Sequence, residues 1–385
     1  MAFMQEFQHL KIKLEDIKSA TNNFSEENYI GGGGFGKVYK GEVCHYKGRS
    51  MAAFKRLDRK HGQGEAEFSK EIMTLSSYRH KNIISLLGYC NEDGEMILVY
   101  EYACNGSLDR HLNNAALTWR KRLKICLEAA KALEYLHDPK GTHQRVIHRD
   151  IKSGNILLCD NWVAKLADLG LSKMGPANQD QTFLISSAVG TLGYCDPMYI
   201  ETGLLTKESD VYSFGVLLFE VLYGRSCFNT IAGSFGQLLV PTWKKNYVEK
   251  KIDGIHILQD MDPSSLKLFS DIAYRCVEEF REDRPKMAEV VTELEIALDI
   301  SQEMSEGKTT DVIDYEEMVK TVVPPLNYRF KAELMIFLSK GVLLNGGTTW
   351  FSLNAKGQHI EMISIAHCMT VSYIKGFYTT EYNSR

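Results

Sequence analysis

The sequence predicts an α+β protein in which a β-rich first part precedes a mainly helical second part. Alternating apolar residues indicate strands at 38–43, 51–57, 82–90 and 96–102. Long stretches with helical periodicity follow, the clearest at 119–137. Because strands and helices are largely segregated along the chain, we expect an antiparallel sheet followed by a helical part.

Composition limits the classes of protein that the chain can belong to. Its 385 residues leave room for two domains, or for one large two-lobed domain with an appendage. The apolar fraction of 44% and the charged fraction of 24% are ordinary for a globular protein. A net charge of −4 gives no reason to expect nucleic acid as a partner. The nine cysteines are odd in number and contain no C-x-x-C pair, which favours free thiols over disulfides or zinc.

The chain shows no targeting segment in its sequence pattern. Its N-terminus lacks the basic start and the long apolar region of a signal peptide. The most apolar stretch, 211–222, contains Ser213 and Glu220 and is too short to span a bilayer. We therefore expect a cytoplasmic protein.

A glycine-rich stretch lies just before the strand at 38–43. Gly31, Gly33 and Gly36 have G-x-G-x-x-G spacing, and Val38 follows two places later. Glycines let a backbone approach phosphates closely, but a dinucleotide-binding fold uses similar spacing. That fold needs a helix next, whereas this sequence continues as a strand. The pattern thus favours a phosphate-covering loop between two strands.

The strand at 51–57 carries a lysine that could meet phosphates. Strand alternation places Ala53 and Lys55 on one face and Phe54 on the other. The following helix, at 65–77, carries Glu71 beside its apolar stripe. An ion pair between Lys55 and Glu71 would fix the ammonium beside the α- and β-phosphates of a nucleotide.

The stretch 146–158 concentrates chemistry between two short apolar runs. Asp150, Lys152 and Asn155 lie in a loop that the apolar runs hold at both ends. Asp168, in Asp-Leu-Gly, follows closely enough for a hairpin to return a second carboxylate to the same cavity. His-Arg-Asp, then four intervening residues and Asn, matches the catalytic-loop pattern H-R-D-x-x-x-x-N.

These motifs together resemble those of plant receptor-like Ser/Thr protein kinases over roughly residues 24–300. The resemblance implies the two-lobed protein-kinase fold, with an antiparallel β-sheet small lobe at 24–102 and a mainly helical large lobe at 103–300. An N-terminal extension, 1–23, and a linker, 301–317, flank it. It also implies the cytoplasmic type of such kinases, without ectodomain or membrane span.

The resemblance assigns roles to residues in this sequence. Asp150 would accept the hydroxyl proton of a substrate, Lys152 is typical of Ser/Thr kinases, and Asn155 and Asp168 would hold Mg²⁺. The backbone of Glu101 and Ala103 would bind adenine, with Tyr100 at the back of the pocket. ATP would be bound by Ile30, Gly31, Gly33, Gly36, Val38, Ala53, Lys55, Tyr100, Glu101, Ala103 and Leu157.

Regulation and one departure from the family pattern follow from the same comparison. Arg149 suggests control by phosphorylation of the next loop, and the candidate sites are Thr182, Ser186, Ser187 and Thr191. Of these, Thr191 is expected instead to shape the substrate-binding loop. Met198 replaces the glutamate that normally pairs with an arginine, here Arg284. We expect Glu201, close in sequence, to serve as the acceptor.

The tail changes character after Pro324 and Pro325. Strand-like runs at 341–344, 348–354 and 360–365 flank turn residues. Residues 318–385 resemble the opening part of a phloem-protein-2-like domain, a family associated with carbohydrate binding, in a truncated copy. A glycan is therefore a candidate ligand of the tail.

The sequence favours an ATP- and Mg²⁺-dependent Ser/Thr kinase that phosphorylates proteins, including itself. Its partners would be substrate proteins and an upstream receptor kinase, and partners could bring it to the plasma membrane. Two alternatives remain open: a pseudokinase scaffold, which Met198 favours, and a carbohydrate-binding module regulated by the kinase domain.

Overall fold

The computed structural model describes residues 6–33, 36–58, 64–138, 144–175, 183–229, 237–249, 261–305, 351–353 and 359–361. The chain divides into two compact units, 1–322 and 323–385.

In the first unit a short helix comes first, then five strands with one helix among them, and then the remaining helices with short strand pairs between them. The strands are β1 Tyr29–Gly33, β2 Gly36–His45, β3 Gly48–Leu57, β4 Leu86–Cys90, β5 Ile97–Glu101, β6 Arg145–Ile147, β7 Ile156–Leu158, β8 Ala164–Leu166, β9 Lys173–Gly175, β10 Leu184–Ile185, β11 Leu204–Leu205, β12 Phe228–Asn229 and β13 Gln237–Leu238. The helices are α1 Leu14–Ala20, α2 Glu65–Ser77, α3 Trp119–His137, α4 Pro197–Thr202, α5 Lys207–Tyr223, α6 Val240–Val248, α7 Pro263–Cys276 and α8 Met287–Ser305. The predicted α+β class, with a small β lobe and a helical large lobe, is confirmed.

The small lobe is built on one antiparallel sheet with strand order β1-β2-β3-β5-β4. In its centre Lys55 lies opposite Val38 of β2 and Leu98 of β5. Phe54 is fully buried on the other face, in a cluster with Ile17 and its neighbours. The prediction that the ring of Phe54 points away from the lysine side is confirmed.

The N-terminal segment completes the small lobe. Ile12, Leu14 and Ile17 pack into the cluster on the outer face of the sheet, and Ile12 N–H donates to the carbonyl of Tyr89 at 2.9 Å. Gly41 permits this approach, because a Cβ there would lie 2.2 Å from the carbonyl oxygen of Ala20. The sequence predicted only an N-terminal extension at 1–23, whereas residues 12–17 of this segment form a layer of the lobe.

The large lobe is organised around α5, which is buried along most of its length. Apolar side chains on nearly all sides of a helix are typical of a core position. At its N-terminus the backbone N–H of Thr206 donates to Ser209 Oγ at 3.3 Å. Gly215 lets α7 approach closely, since a Cβ there would lie 2.6 Å from Cβ of Cys276. The first turn of α5 therefore has a fixed position, and it carries Asp210.

The second unit is described over two strands, β14 Phe351–Leu353 and β15 His359–Glu361, which pair antiparallel. Both overlap strand-like runs of the predicted phloem-protein-2-like segment. The rest of that segment, including the run at 341–344, lies outside the described residues.

Candidate active site

The catalytic-loop motif is held in place by Asp210. The carboxylate of Asp210 accepts the backbone N–H groups of His148 at 2.7 Å and Arg149 at 2.8 Å, and it contacts His137 Nε2 at 2.9 Å. Arg149 has a φ of +74°, a left-handed conformation that is costly for a side-chain-bearing residue. Its hydrogen bond to Asp210 stabilises that conformation and so positions the next residue, Asp150.

Asp150 is the centre of a polar cluster. Lys152 Nζ lies 2.7 Å from Asp150 Oδ2, and the Thr191 hydroxyl donates to Asp150 Oδ1 at 2.6 Å. Lys152 also donates to Thr191 Oγ1 at 2.8 Å. Asn155 Nδ2 donates to the backbone carbonyl of Asp150 at 2.7 Å, which closes the loop on itself. The structure thus brings the predicted Asp150, Lys152 and Asn155 together.

A second polar cluster joins β3, α2 and the segment after β8. Lys55 Nζ lies 2.7 Å from Asp168 Oδ1 and 3.8 Å from Glu71 Oε2. Glu71 is fully buried, and the hydroxyl of Tyr100 donates to its Oε1 at 2.8 Å. Lys55, Glu71 and Asp168 are far apart in sequence and form one site.

Burial and charge work against each other in this cluster. Burial opposes the charged form of Lys55, but the carboxylates of Glu71 and Asp168 outweigh it and raise the pKa of the ammonium. Burial raises the pKa of Glu71, because Lys55 and the Tyr100 hydroxyl only partly offset the loss of hydration. Burial also acts against charge on Asp168, yet the ammonium of Lys55 lowers the pKa of that carboxyl.

One cavity of about 810 Å³ lies between the two lobes and connects the clusters. Every residue that the sequence predicted for nucleotide binding lines it, and so do Glu71, Lys152, Asn155 and Asp168. Asp150 does not line this cavity and is linked to it through Asn155 and Lys152. Sequence analysis missed Arg110, whose Nη2 donates to the carbonyl of Ile30 at 3.1 Å across the cavity edge.

Removing the hydroxyl of Tyr100 tests the buried part of this site. Tyr100→Phe is expected to lower the free energy of unfolding by about 1–3 kcal/mol, because buried Glu71 loses a hydrogen-bond donor. Tyr102→Phe is the matched control, since Tyr102 lines the same cavity and its hydroxyl has no hydrogen bond within the described residues. That control should stay within about 0.5 kcal/mol. Urea unfolding measures both, and equal values would contradict the assignment.

Arg149 also contacts the segment that follows Asp168. Its Nη2 donates to Ser186 Oγ at 3.1 Å, to the Ser187 carbonyl at 3.1 Å and to the Tyr199 hydroxyl at 2.8 Å. Arg149 Nε is buried without a hydrogen-bond partner in the described part of the chain. The guanidinium of Arg149 could therefore donate to an anionic group, which is a stronger hydrogen-bond acceptor than a serine hydroxyl.

The expected acceptor for Arg284 was wrong. Arg284 Nη2 lies 2.9 Å from Asp196 Oδ1, and both side chains are fully buried. The guanidinium also donates to the carbonyls of Glu208, Glu278 and Glu279, whereas Glu201 is exposed. Asp196 serves because it already lies at the N-terminus of α4, where its side chain accepts the N–H of Met198.

Comparison with known proteins agrees with this geometry. The family model for protein tyrosine and serine/threonine kinase matches residues 24–294. The chain belongs to this protein kinase family.

The similar proteins include receptor-like kinases of Arabidopsis thaliana. The chain is 42% identical to receptor-like protein kinase HERK 1 over 324 residues, which are 82% of this chain and 38% of that protein. It is 44% identical to THESEUS 1 over 299 residues, 76% of this chain and 34% of that protein. ANXUR2 is 44% identical over 304 residues, 77% of this chain and 34% of that protein. The chain thus spans little more than a third of these relatives.

Two further features of the described residues are the character of their helices and the state of their cysteines. None of their helices has the length and apolar character that crossing a bilayer requires. Their cysteines are all free thiols.

Proposed function

We propose that the chain transfers the γ-phosphate of ATP to Ser and Thr hydroxyls of protein substrates, itself included. The observation that carries this proposal is the position of two clusters at one interlobe cavity. Lys55, Glu71 and Asp168 form one cluster, and Asp150 with Lys152 forms the other. Phosphoryl transfer requires mainly placement and neutralisation of charge, and these residue types supply both.

The nucleotide would lie in the 810 Å³ cavity with adenine beside the segment after β5. We propose that the backbones of Glu101 and Ala103 bind adenine and that Tyr100 closes the back of the pocket. Leu157 and Ala53 would contact the base from either side. Lys55 would then neutralise the α- and β-phosphates, and the glycines of β1 and β2 would let the backbone cover them.

The residues present fit Mg²⁺ bound together with a nucleotide. Asn155 uses Nδ2 to bond Asp150, which leaves its amide oxygen as the atom for a cation. Asp168 adds a carboxylate, and both are the oxygen ligands that Mg²⁺ prefers. No set of three or more metal-binding side chains occurs among the described residues, so nucleotide phosphates and water would complete the coordination. Bound there, Mg²⁺ would neutralise charge on the β- and γ-phosphates.

The acceptor hydroxyl would meet Asp150. We propose that the carboxylate of Asp150 orients the hydroxyl and takes its proton. Lys152 lies close enough to this carboxylate to hold negative charge on the transferred group. Thr191, which bonds both residues, would fix their relative position. The adjacent Lys152 supports a preference for Ser/Thr over Tyr acceptors.

Incorporation of label from γ-labelled ATP tests the proposal. Purified full chain is expected to label itself on Ser and Thr in the presence of Mg²⁺ and to lose labelling when EDTA removes the metal. Phosphoamino-acid analysis distinguishes Ser and Thr from Tyr. ATP binding without any labelling would favour the pseudokinase alternative. Its one sequence support was Met198, and pairing of Arg284 with Asp196 removes that support.

Phosphorylation of Ser186 is expected to raise activity. A phosphate there adds about −1.5 to −2 charges beside Arg149. Burial and then the positive charges of Arg149 and Lys70 lower the pKa of Lys173, so a phosphate at Ser186 would relieve the repulsion among these cations. Ser186→Ala should lower activity about fivefold or more relative to the autophosphorylated protein.

Ser187→Ala is the matched control, since only the backbone carbonyl of Ser187 contacts Arg149. Mass spectrometry before and after phosphatase treatment identifies the modified residues. Full activity of the Ser186→Ala protein would contradict this assignment. Thr182, another candidate, lies outside the described residues.

The remaining expectations stay proposals. The free thiols of the described cysteines support a reducing, cytoplasmic location. An upstream receptor kinase, association with the plasma membrane through partners, and glycan binding by 318–385 remain predictions from the resemblance alone.

A further inference from the structure

A smaller cavity of about 300 Å³ lies at the C-terminal end of α2. It is formed where the N-terminal segment, the β2–β3 turn, the end of α2, the loop before β4 and strand β8 meet. Its basic lining residues are Lys47, Arg79, His80, Lys81 and Lys165. No Asp or Glu is among the described residues that line it. We call it the basic cavity.

Most of the positive charge at the basic cavity is uncompensated. Lys165 Nζ is paired with Glu101 Oε1 at 3.0 Å, and that carboxylate also accepts the N–H of Ser85 at 2.7 Å. Lys47, Arg79 and Lys81 make no ion pair within the described part of the chain. Three positively charged side chains therefore line this concave surface, and none of the described lining residues carries a carboxylate.

The side chains around His80 show the same excess of positive charge. Burial lowers the pKa of this imidazole, and the positive charges of Lys81, Lys165 and Lys131 lower it further. Lys131 itself pairs with Glu295 at 2.6 Å, and the ring of His80 stacks on Tyr135. The neutral imidazole adds a hydrogen-bonding group to the cavity wall without adding charge.

An unsatisfied hydroxyl lies in the same wall. Ser76, in the last turn of α2, lines the basic cavity, and its Oγ is buried without a hydrogen-bond partner in the described residues. Buried polar atoms are almost always hydrogen-bonded, so a hydroxyl without a partner at this position favours a site that a ligand can complete. Rotation about χ1 would present this donor to a ligand in the cavity.

We propose that the basic cavity binds a small ligand through its phosphate groups, such as an inositol phosphate, free or as a lipid headgroup. Arg and Lys are the side chains that bind phosphate oxygens most strongly. The volume lies at the lower end of the range for small-molecule sites. The alternative is that these cations only stabilise the C-terminal end of α2. However, neither Arg79 nor Lys81 donates a hydrogen bond to the helix carbonyls within the described part of the chain, and the N–H of Tyr78 already bonds the carbonyl of Thr74.

A ligand in the basic cavity would restrain the position of α2. The cavity touches the last turn of α2, which carries Glu71 less than two turns earlier, and it touches Lys165 of β8 in the large lobe. A phosphate held between these elements would restrain α2 against β8. Binding itself does not depend on catalysis, so failure of the kinase proposal would leave this one standing.

Calorimetric titration of the full chain with inositol hexakisphosphate tests the proposal, at fixed ionic strength and with a non-hydrolysable ATP analogue in excess. Arg79→Gln/Lys81→Gln removes two exposed charges at the basic cavity. Lys18→Gln/Lys286→Gln removes two exposed charges elsewhere and is the matched control. The first variant should bind at least about tenfold more weakly, and the second should be within about twofold of the parent protein.

Lys47→Gln, on a different element, should weaken binding in the same direction. Phosphatidylcholine vesicles with and without phosphatidylinositol 4,5-bisphosphate separate the two sources. Vesicle binding that Arg79→Gln/Lys81→Gln abolishes identifies a lipid headgroup, and binding of the soluble probe alone identifies a free phosphate ligand. No binding of either probe, or equal weakening by both double variants, would overturn the proposal.

Discussion

Asp150→Asn is expected to lower the rate of phosphate incorporation by about 10²–10⁴-fold, the range typical for loss of a general base. The asparagine keeps the shape of the side chain but cannot accept the hydroxyl proton. It also removes the charge that pairs with Lys152 at 2.7 Å. Steady-state assays with γ-labelled ATP measure the effect, and calorimetry with an ATP analogue should show nucleotide binding close to that of the parent protein.

Asp283→Asn is the matched control for this experiment. Asp283 is an exposed large-lobe acid far along the chain from the catalytic loop, so its substitution should leave the rate within about twofold. Circular dichroism and urea unfolding exclude a general loss of structure. Undiminished labelling by the Asp150→Asn protein would remove Asp150 from the mechanism.

Arg284→Leu is expected to reduce the free energy of unfolding by about 3–5 kcal/mol. The substitution leaves the buried carboxylate of Asp196 without its closest cation, and breaking one side of a buried pair typically costs this much. Three backbone carbonyls that Arg284 satisfies also lose their donor. Urea denaturation measures the change, and a loss below about 1 kcal/mol would contradict it.

Two companion variants separate this pair from general effects. Arg120→Leu removes an exposed arginine that contacts Gln302, and it should change the free energy of unfolding by less than about 0.5 kcal/mol. Met198→Glu restores the residue usual in the family. Because Arg284 already bonds Asp196 and three carbonyls, we expect the new glutamate to change stability by at most about 1 kcal/mol.

The sequence could predict the site because its motifs are local. The spacing of Asp150 and Asn155 places both in one loop, and strand alternation decides that Lys55 and Phe54 face opposite ways. The same local reasoning predicts the strand-then-helix order. These features depend on neighbours within a few residues, which a single sequence displays.

Contacts between distant residues could not be predicted in the same way. Arg284 meets Asp196 across 88 positions, and Arg110 meets Ile30 across 80. Each pair depends on how α4, α7 and the sheet are packed. The choice of Asp196 over Glu201 depends on which acid faces inward at the start of α4, and sequence proximity carries no information on that.

The layer that the N-terminal segment forms on the small-lobe sheet has a practical consequence for preparing this protein. The family match begins at residue 24, yet the packing of the sheet already involves Ile12 and Ile17. A fragment that begins at residue 24 would expose the side chains of Val43 and Phe54 to water and create an apolar patch prone to aggregation. The homology boundary of this domain and its folding boundary are therefore different places in the chain.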